Sequence, residues 1–241
     1  MSVHLQREID KLKRDILTLS AEVENDVRAA VRAVENRDAA LAERVINREA
    51  RINAMEVDVE EECLKILALH QPVAADLRYI IAVLKINQDL ERIGDLSVHI
   101  AERGLYLRGL PPIGIPFRLG EMADKAQAML KKVLDAFVSL NEAAAREVCA
   151  ADIEIDAINL EIFQQVRKSV TLNPALFESL LQVMSISRHL ERIADHATNI
   201  AEDLIYLVEG RIVRHTAEVS DKSEHGRDDA KAPAPGGLKE G

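Results

Sequence analysis

The 241-residue sequence has no tryptophan, and its three tyrosines and four phenylalanines bring the aromatic content to only 3%. So few flat side chains argue against a β-sandwich and against a stacking platform for single-stranded nucleic acid. Positive charge is also scarce, with 31 Lys and Arg against 41 Asp and Glu, for a formal net charge of −10. That balance repels phosphate backbones, so no nucleic-acid partner is expected, and metal cations or basic protein surfaces are favoured. No apolar run approaches the roughly 18 residues that a membrane span needs, and the N-terminal MSVHLQREIDKLKRD lacks the apolar core of a secretory signal. The chain is expected in the cytosol, with no direct membrane insertion. Cys63 and Cys149 stand alone without CxxC spacing, which reads as two reduced, partly buried thiols without a function. Neither GxxxxGK[ST] nor GxGxxG occurs, so nucleotide hydrolysis is left to another protein.

What the chain does have is hydrophobic periodicity, with 48% hydrophobic and 30% charged residues. Leu5, Ile9, Leu12, Ile16, Leu19, Val23, Val27 and Val31 recur at helical spacing and predict one long amphipathic helix to about Val34. A second helix is predicted from about Ala39 to Leu69, and after Pro72 a third from about Val73 to Leu107. The pattern then repeats over about Phe117 to Leu140, Ala143 to Val170 and Pro174 to Val208. The fold class is therefore all-α: two tandem antiparallel three-helix bundles, six long helices in all. The first repeat is assigned to residues 1–107 and the second to 117–210. Between them, residues 108–116 hold three prolines and two glycines, and this apolar connection is expected to pack. Residues 211–241 lack apolar periodicity and read as a disordered tail.

The third helix of each half carries the duplication most clearly. Between residues 89–106 and 189–206, Leu90, Glu91, Arg92, Ile93, Asp95, Ile100, Ala101, Glu102 and Tyr106 all recur. At about 100° per residue, Glu91, Asp95, His99 and Glu102 fall in one stripe, as do Glu191, Asp195, Asn199 and Glu202. Val83, Ile86, Leu90, Ile93 and Ile100 lie roughly opposite, so the acids are expected to face away from the core.

Most acidic stripes are simply solvated helix faces, here with Arg92 and Arg192 offsetting charge at i+3. Like charges at i and i+4 cost a helix a few tenths of a kcal/mol, however, and both copies kept them while the surrounding sequence diverged. Hard carboxylate oxygens joined by an imidazole or amide suit divalent Mg, Mn, Fe or Zn, and possession of both stripes points to metal sites. One helix cannot surround an ion, so Asp58, Glu61 or Glu62 in the first half and Glu161 in the second are added as weaker candidate ligands from the neighbouring helices. The His-x-x-Glu at 99–102 is the reverse of the Glu-x-x-His of ferritin-like di-iron proteins, which argues against an oxidase centre. His70 is read as a cap on the second helix, and His4, His215 and His225 lie near the ends without a nucleophile at recognisable spacing.

Two halves that each close with L-E-R-I-(G/A)-D, the first introduced by Gln71-Pro-Val-Ala-Ala-Asp-Leu-Arg78, resemble the PhoU family of bacterial phosphate-signalling regulators. The family's acidic motif falls on Glu91 and Asp95 and on Glu191 and Asp195. The resemblance implies a cytoplasmic homodimer without catalysis, carrying divalent or trivalent metal ions on the motif surface. It also implies an adaptor between the ATPase subunit of a phosphate transporter and a sensor histidine kinase, restraining phosphate uptake and starvation signalling. The family commonly has Asn where His99 stands and His where Leu96 stands, a His that the second half keeps as His196, so the two sites are expected to differ. A metal-free helical adaptor and a metal-dependent hydrolase are the alternative readings.

Overall fold

The computed structural model describes residues 3–110 and 117–210. Within these, the chain forms α1 (Val3–Asn36), α2 (Ala39–His70), α3 (Ala74–Arg108), α4 (Leu119–Ser139), α5 (Glu142–Leu172) and α6 (Phe177–Glu209). All eight apolar residues that predicted the first helix are buried along one side of α1. Moving each from water stabilises the fold by roughly 1.5–3 kcal/mol, before the cost of chain ordering.

The duplication extends to the turns. At the end of α1, Arg37 takes a positive φ of 50°, and Asp38 then caps α2 by accepting from the Leu41 N–H at 3.0 Å. At the end of α4, Leu140 also has φ 50°, and Asn141 accepts from the Ala144 N–H at 3.1 Å. Side-chain oxygens at both N-caps satisfy a backbone donor that the first helical turn leaves unpaired, fixing where each return helix begins.

The breaks before the third helices differ. The α2 end is closed by the left-handed Gln71, whose N–H bonds to the Leu67 carbonyl, so the C-cap falls on Gln71 while His70 is the last helical residue. Between α5 and α6, Pro174–Leu176 form one 3-10 turn, and α6 starts at Phe177, later than the sequence pattern suggested, because proline lacks the N–H that would continue a ladder. The expectation that residues 111–116 of the connection pack, and that 211–241 form a tail, falls outside the described residues.

Each trio packs as an antiparallel bundle, and α3 also packs against α6 as extensively as α5 does, while α1 touches α4. The two bundles thus share a seam and form one compact unit. This seam changes the environment of the third helices. Leu96 and Val98 of α3, predicted on no core face, are buried at 2% and 6% exposure because α3 buries a second side against α6. The acidic stripe is squeezed between these two packed sides and emerges in the groove beside α2.

Candidate functional site

In the first half the groove between α2 and α3 collects Glu56, Asn87, Glu91 and Asp95. Asn87 is 1% exposed and its amide donates to the Glu56 carbonyl at 2.9 Å and to the Glu56 carboxylate at 3.2 Å. Glu91 is half-buried, and its pKa is raised by burial first and then by the charges of Asp95 and Glu56. Burial and Glu60 likewise raise Glu56. Glu56 and Glu91 are therefore not on an open face: loss of water and neighbouring negative charge both disfavour their charged forms.

The second half repeats the arrangement with different residues. Counted from the caps Asp38 and Asn141, Glu56 corresponds to Asn159, which accepts a hydrogen bond from Ser187, the counterpart of Asn87. Glu49 and Asn53 correspond to Asp152 and Asp156. Asp152 is pushed up to about 6 by burial and then by the charges of Asp156, Asp195 and Glu191. Glu191 and Asp195 are raised chiefly by burial. The counter-charge expected from Arg192 at i+3 comes more directly from Arg188, whose guanidinium lies 2.9 Å from Glu191. Asp152, Asp156, Asn159 and Glu56 lie on the second helices, where the two halves share too few identical residues for the repeat to show without a fixed register. Aligning the second helices on their N-caps reveals them.

The other candidate ligands are held elsewhere. His99 is exposed and its ring stacks on that of His189 of the other half, 5.3 Å between centroids. Glu102 is exposed, while Asn199 and Glu202 are half-buried further along their helices. Asp58 and Glu61 are exposed and line an open groove toward α1 with Lys11 and Lys65. Glu62 is buried and accepts from Lys11 at 2.6 Å and Lys65 at 3.2 Å. Glu161 pairs with Arg118 at 2.6 Å. None of these contacts involves α3 or α6, whereas Glu56 of α2 meets Asn87 of α3 and has Glu60 as a charged neighbour. His196 does not enter the second groove either. Its Nδ1 lies 2.8 Å from Asp89 across the α3–α6 seam, so the difference between the two clusters comes from α2 and α5 and from Asn87 against Ser187.

A family model described as the PhoU domain matches residues 16–104 and 119–204. The chain belongs to the PhoU family. The phosphate-specific transport system accessory protein PhoU homolog of Pseudomonas putida is 36% identical over 241 residues, covering 97% of this chain and 94% of that protein. Its namesake in Pseudomonas aeruginosa is 35% identical, with 93% of each chain covered. The crystal structure of PhoU from P. aeruginosa superposes with a TM-score of 0.84 at 34% identity, covering 86% of this chain and 99% of that one. That of the phosphate transport system regulatory protein PhoU from Streptococcus pneumoniae gives 0.80 at 29%, covering 87% and 99%.

The grooves of this PhoU family member fit a hard cation in their donor chemistry. Asn87 Oδ1 and Asp152 Oδ1 are buried oxygens without a hydrogen-bond donor, and such orphans are expensive unless something positive meets them. Among the described residues, no three Asp, Glu, His or Cys side chains converge on one point at ligand spacing. Carboxylate rotations within each groove would be needed to enclose an ion.

Proposed function

We propose that this chain is a non-catalytic accessory protein of phosphate transport, acting in the cytosol as a homodimeric adaptor. It contacts the ATPase subunit of a phosphate transporter and a membrane-bound sensor histidine kinase, and restrains both uptake and phosphate-starvation signalling. The observation that carries this reading is the duplicated acidic groove on a chain whose relatives are named phosphate-specific transport system accessory proteins.

Glu56, Asn87, Glu91 and Asp95 would hold divalent or trivalent cations in one half, and Asp152, Asp156, Asn159, Glu191 and Asp195 in the other. A cation there supplies positive charge that turns an acid-lined groove into a surface able to accept anionic groups. Without it, a protein of net charge −10 repels them.

Among the described residues, the hydroxyl–imidazole pair beside the second groove is not arranged for nucleophilic catalysis. Ser185 Oγ lies 3.2 Å from His189 Nε2, but His189 Nδ1 is buried without a partner and burial pushes the imidazole down to about 4. A serine needs a base near neutral pH and an acid to orient it, and this pair has neither.

The test combines elemental analysis of the purified protein with pull-down of the transporter ATPase and the kinase. Wild type is compared with the variant carrying Glu91→Gln, Asp95→Asn, Glu191→Gln and Asp195→Asn. Joint loss of metal and partner capture is expected. Full metal content together with normal repression in the variant would overturn the reading, and partner capture without any bound metal would leave a metal-free adaptor.

A further inference from the structure

The seam between α3 and α6 is furnished differently at its two ends. The helices run antiparallel, so that Lys85 meets Asp203 at 3.1 Å near one end and His99 stacks on His189, 5.3 Å between centroids, near the other. One turn beyond that stack, the same register sets Arg103 of α3 opposite Ser185 of α6. The internal repeat relates the two ends because it exchanges α3 and α6: Lys85 has Ser185 as its counterpart, and Asp203 has Arg103. Likewise Asp89, which lies 2.8 Å from His196, has His189 as its counterpart, and His196 has Leu96. Each basic side chain at the first end therefore meets an acid across the seam, whereas the second end has kept basic side chains and lost both acids.

Arg103 Nε and His189 Nδ1, one from each helix, are buried without a hydrogen-bond partner. Ser185 Oγ lies 3.2 Å from the other ring nitrogen, His189 Nε2, and leaves Nδ1 unmet. Besides burial, the charges of His99, Arg103 and Arg192 act on the His189 ring, so all four groups crowd one spot. His99 and Arg192 are exposed, which opens that spot to solvent. Glu191, the acid nearest to His189 in sequence, is held by Arg188 at 2.9 Å. Glu102, beside Arg103 in the chain, is exposed, and neighbours at i+1 project to different sides of a helix. Gathering guanidinium and imidazole groups without an acid is unfavourable, and stranding buried nitrogens adds to the cost, unless an anion answers both.

We infer that this end of the seam binds a small tetrahedral oxyanion of the phosphate type, free in solution, held by Arg103 and the His99 and His189 rings with Arg192 and the Ser185 hydroxyl at its rim. A guanidinium presents a planar fork of N–H donors that matches paired anionic oxygens, and a dianion with more oxygens than a carboxylate accepts from both helices at once. An ion bridging α3 and α6 joins the two bundles at the end where Arg103 has no acid across the seam. The site is separate from the acidic grooves and requires no cation in them, so it goes beyond the accessory role proposed above and can stand or fall without it.

The experiment is titration calorimetry of the full chain with sodium phosphate, in EDTA near pH 7 and at constant ionic strength. Saturable binding is expected, and Arg103→Gln and His99→Ala should each weaken it by about tenfold or more. Ser185→Asp, which places opposite Arg103 the kind of partner that Lys85 already has, should weaken it at least as much, because the new carboxylate takes the place of the anion. Arg92→Gln, at the counterpart of Arg192, should leave it unchanged. An unchanged circular dichroism spectrum verifies that Arg103→Gln folds, and the exposed His99 keeps the test decisive if it does not. Absence of saturable binding, or unchanged affinity in Arg103→Gln or Ser185→Asp, would overturn the site. Binding that appears only when Mn2+ replaces EDTA would also overturn it and assign the anion to cation-filled acidic grooves. A phosphoserine peptide that binds while free phosphate does not would place the phosphoryl group on a partner and sink the free-ion assignment.

Discussion

His196 Nδ1 lies 2.8 Å from Asp89 Oδ1 across the seam between α3 and α6, with both side chains at least nine-tenths buried. Nearby, Lys85 reaches Asp203 at 3.1 Å across the same seam. Two polar contacts thus tie the bundles to each other across the seam, where the His99 and His189 rings also stack. Removing one partner strands the other, whereas replacing both with apolar groups of similar shape removes the orphan. Asp89→Ala should therefore cost about 1–3 kcal/mol in urea denaturation, and Asp89→Leu with His196→Leu should cost less than Asp89→Ala alone. A double variant less stable than the single one would show that the contact contributes net stability.

The acid cluster of the second groove gives a pH dependence of definite sign. Asp152 has its pKa raised from 3.8 to about 6, so the folded state holds that proton more tightly than the unfolded chain does. Stability contributed by this group is present at low pH and is lost as pH rises through about 4 to about 6. In EDTA, Asp152→Asn should melt higher than wild type near pH 7, and the gap should narrow as pH falls toward 4. A gap that widens on acidification would contradict the repulsion described here.

Much of the fold is legible in the sequence because burial in a three-helix bundle is one-sided for α1, and the spacing from Leu5 to Val31 maps directly onto buried positions. The N-caps Asp38 and Asn141 are equally readable, since their side chains bond within their own turn. The seam was not readable. A helical wheel assumes one apolar face, and α3 and α6 have two, so the positions of Leu96 and His196, which the family resemblance ties to a difference between the two sites, belong to the interface. The site was half legible for the same reason: Glu91, Asp95, Glu191 and Asp195 announce themselves by repetition, but which sector of α2 or α5 faces them depends on packing. Asp58 and Glu161 are acids of the neighbouring helices, but membership of a helix does not tell which sector faces the groove, and Asp152 and Asp156 stand out only when the second helices are aligned on their caps.

Cation binding separates these assignments. His99 stacks on His189 at the seam, whereas Asp152 and Asp156 face Glu191 and Asp195. In titration calorimetry of metal-free protein with Mn2+, His99→Ala and Glu161→Gln should leave the stoichiometry unchanged. Asp152→Asn should weaken the second-half site by about tenfold or more. Loss of a bound ion in His99→Ala with full retention in Asp152→Asn would reverse the roles and restore the one-helix stripe.

Two glycines of α3 report how closely the first bundle packs. A methyl on Gly94 would lie 3.1 Å from Ile52 Cγ2, the methyl on that side chain's β-carbon, with no backbone atom of another helix nearer than 4 Å. The second half carries Ala194 and Ile155 at the equivalent positions, so a slight shift of the isoleucine evidently suffices. At Gly104 the methyl would meet Val34 Cγ2 at 3.0 Å and also the Val34 backbone at 3.5 Å, where α1 comes to its end against α3. The backbone lies at ordinary van der Waals distance, so the 3.0 Å approach to Cγ2 is the contact that has to give, on a valine whose χ1 is stiff in a helix. Replacing a helical glycine by alanine gains up to about 1 kcal/mol of helix propensity, and overpacking costs about 1–3 kcal/mol. Gly94→Ala should consequently be neutral or stabilising, and Gly104→Ala destabilising by up to about 2 kcal/mol in urea denaturation. If the two variants ranked the other way round, the close approach of α1 to α3 at Val34 would not be the contact that limits the packing of the bundle.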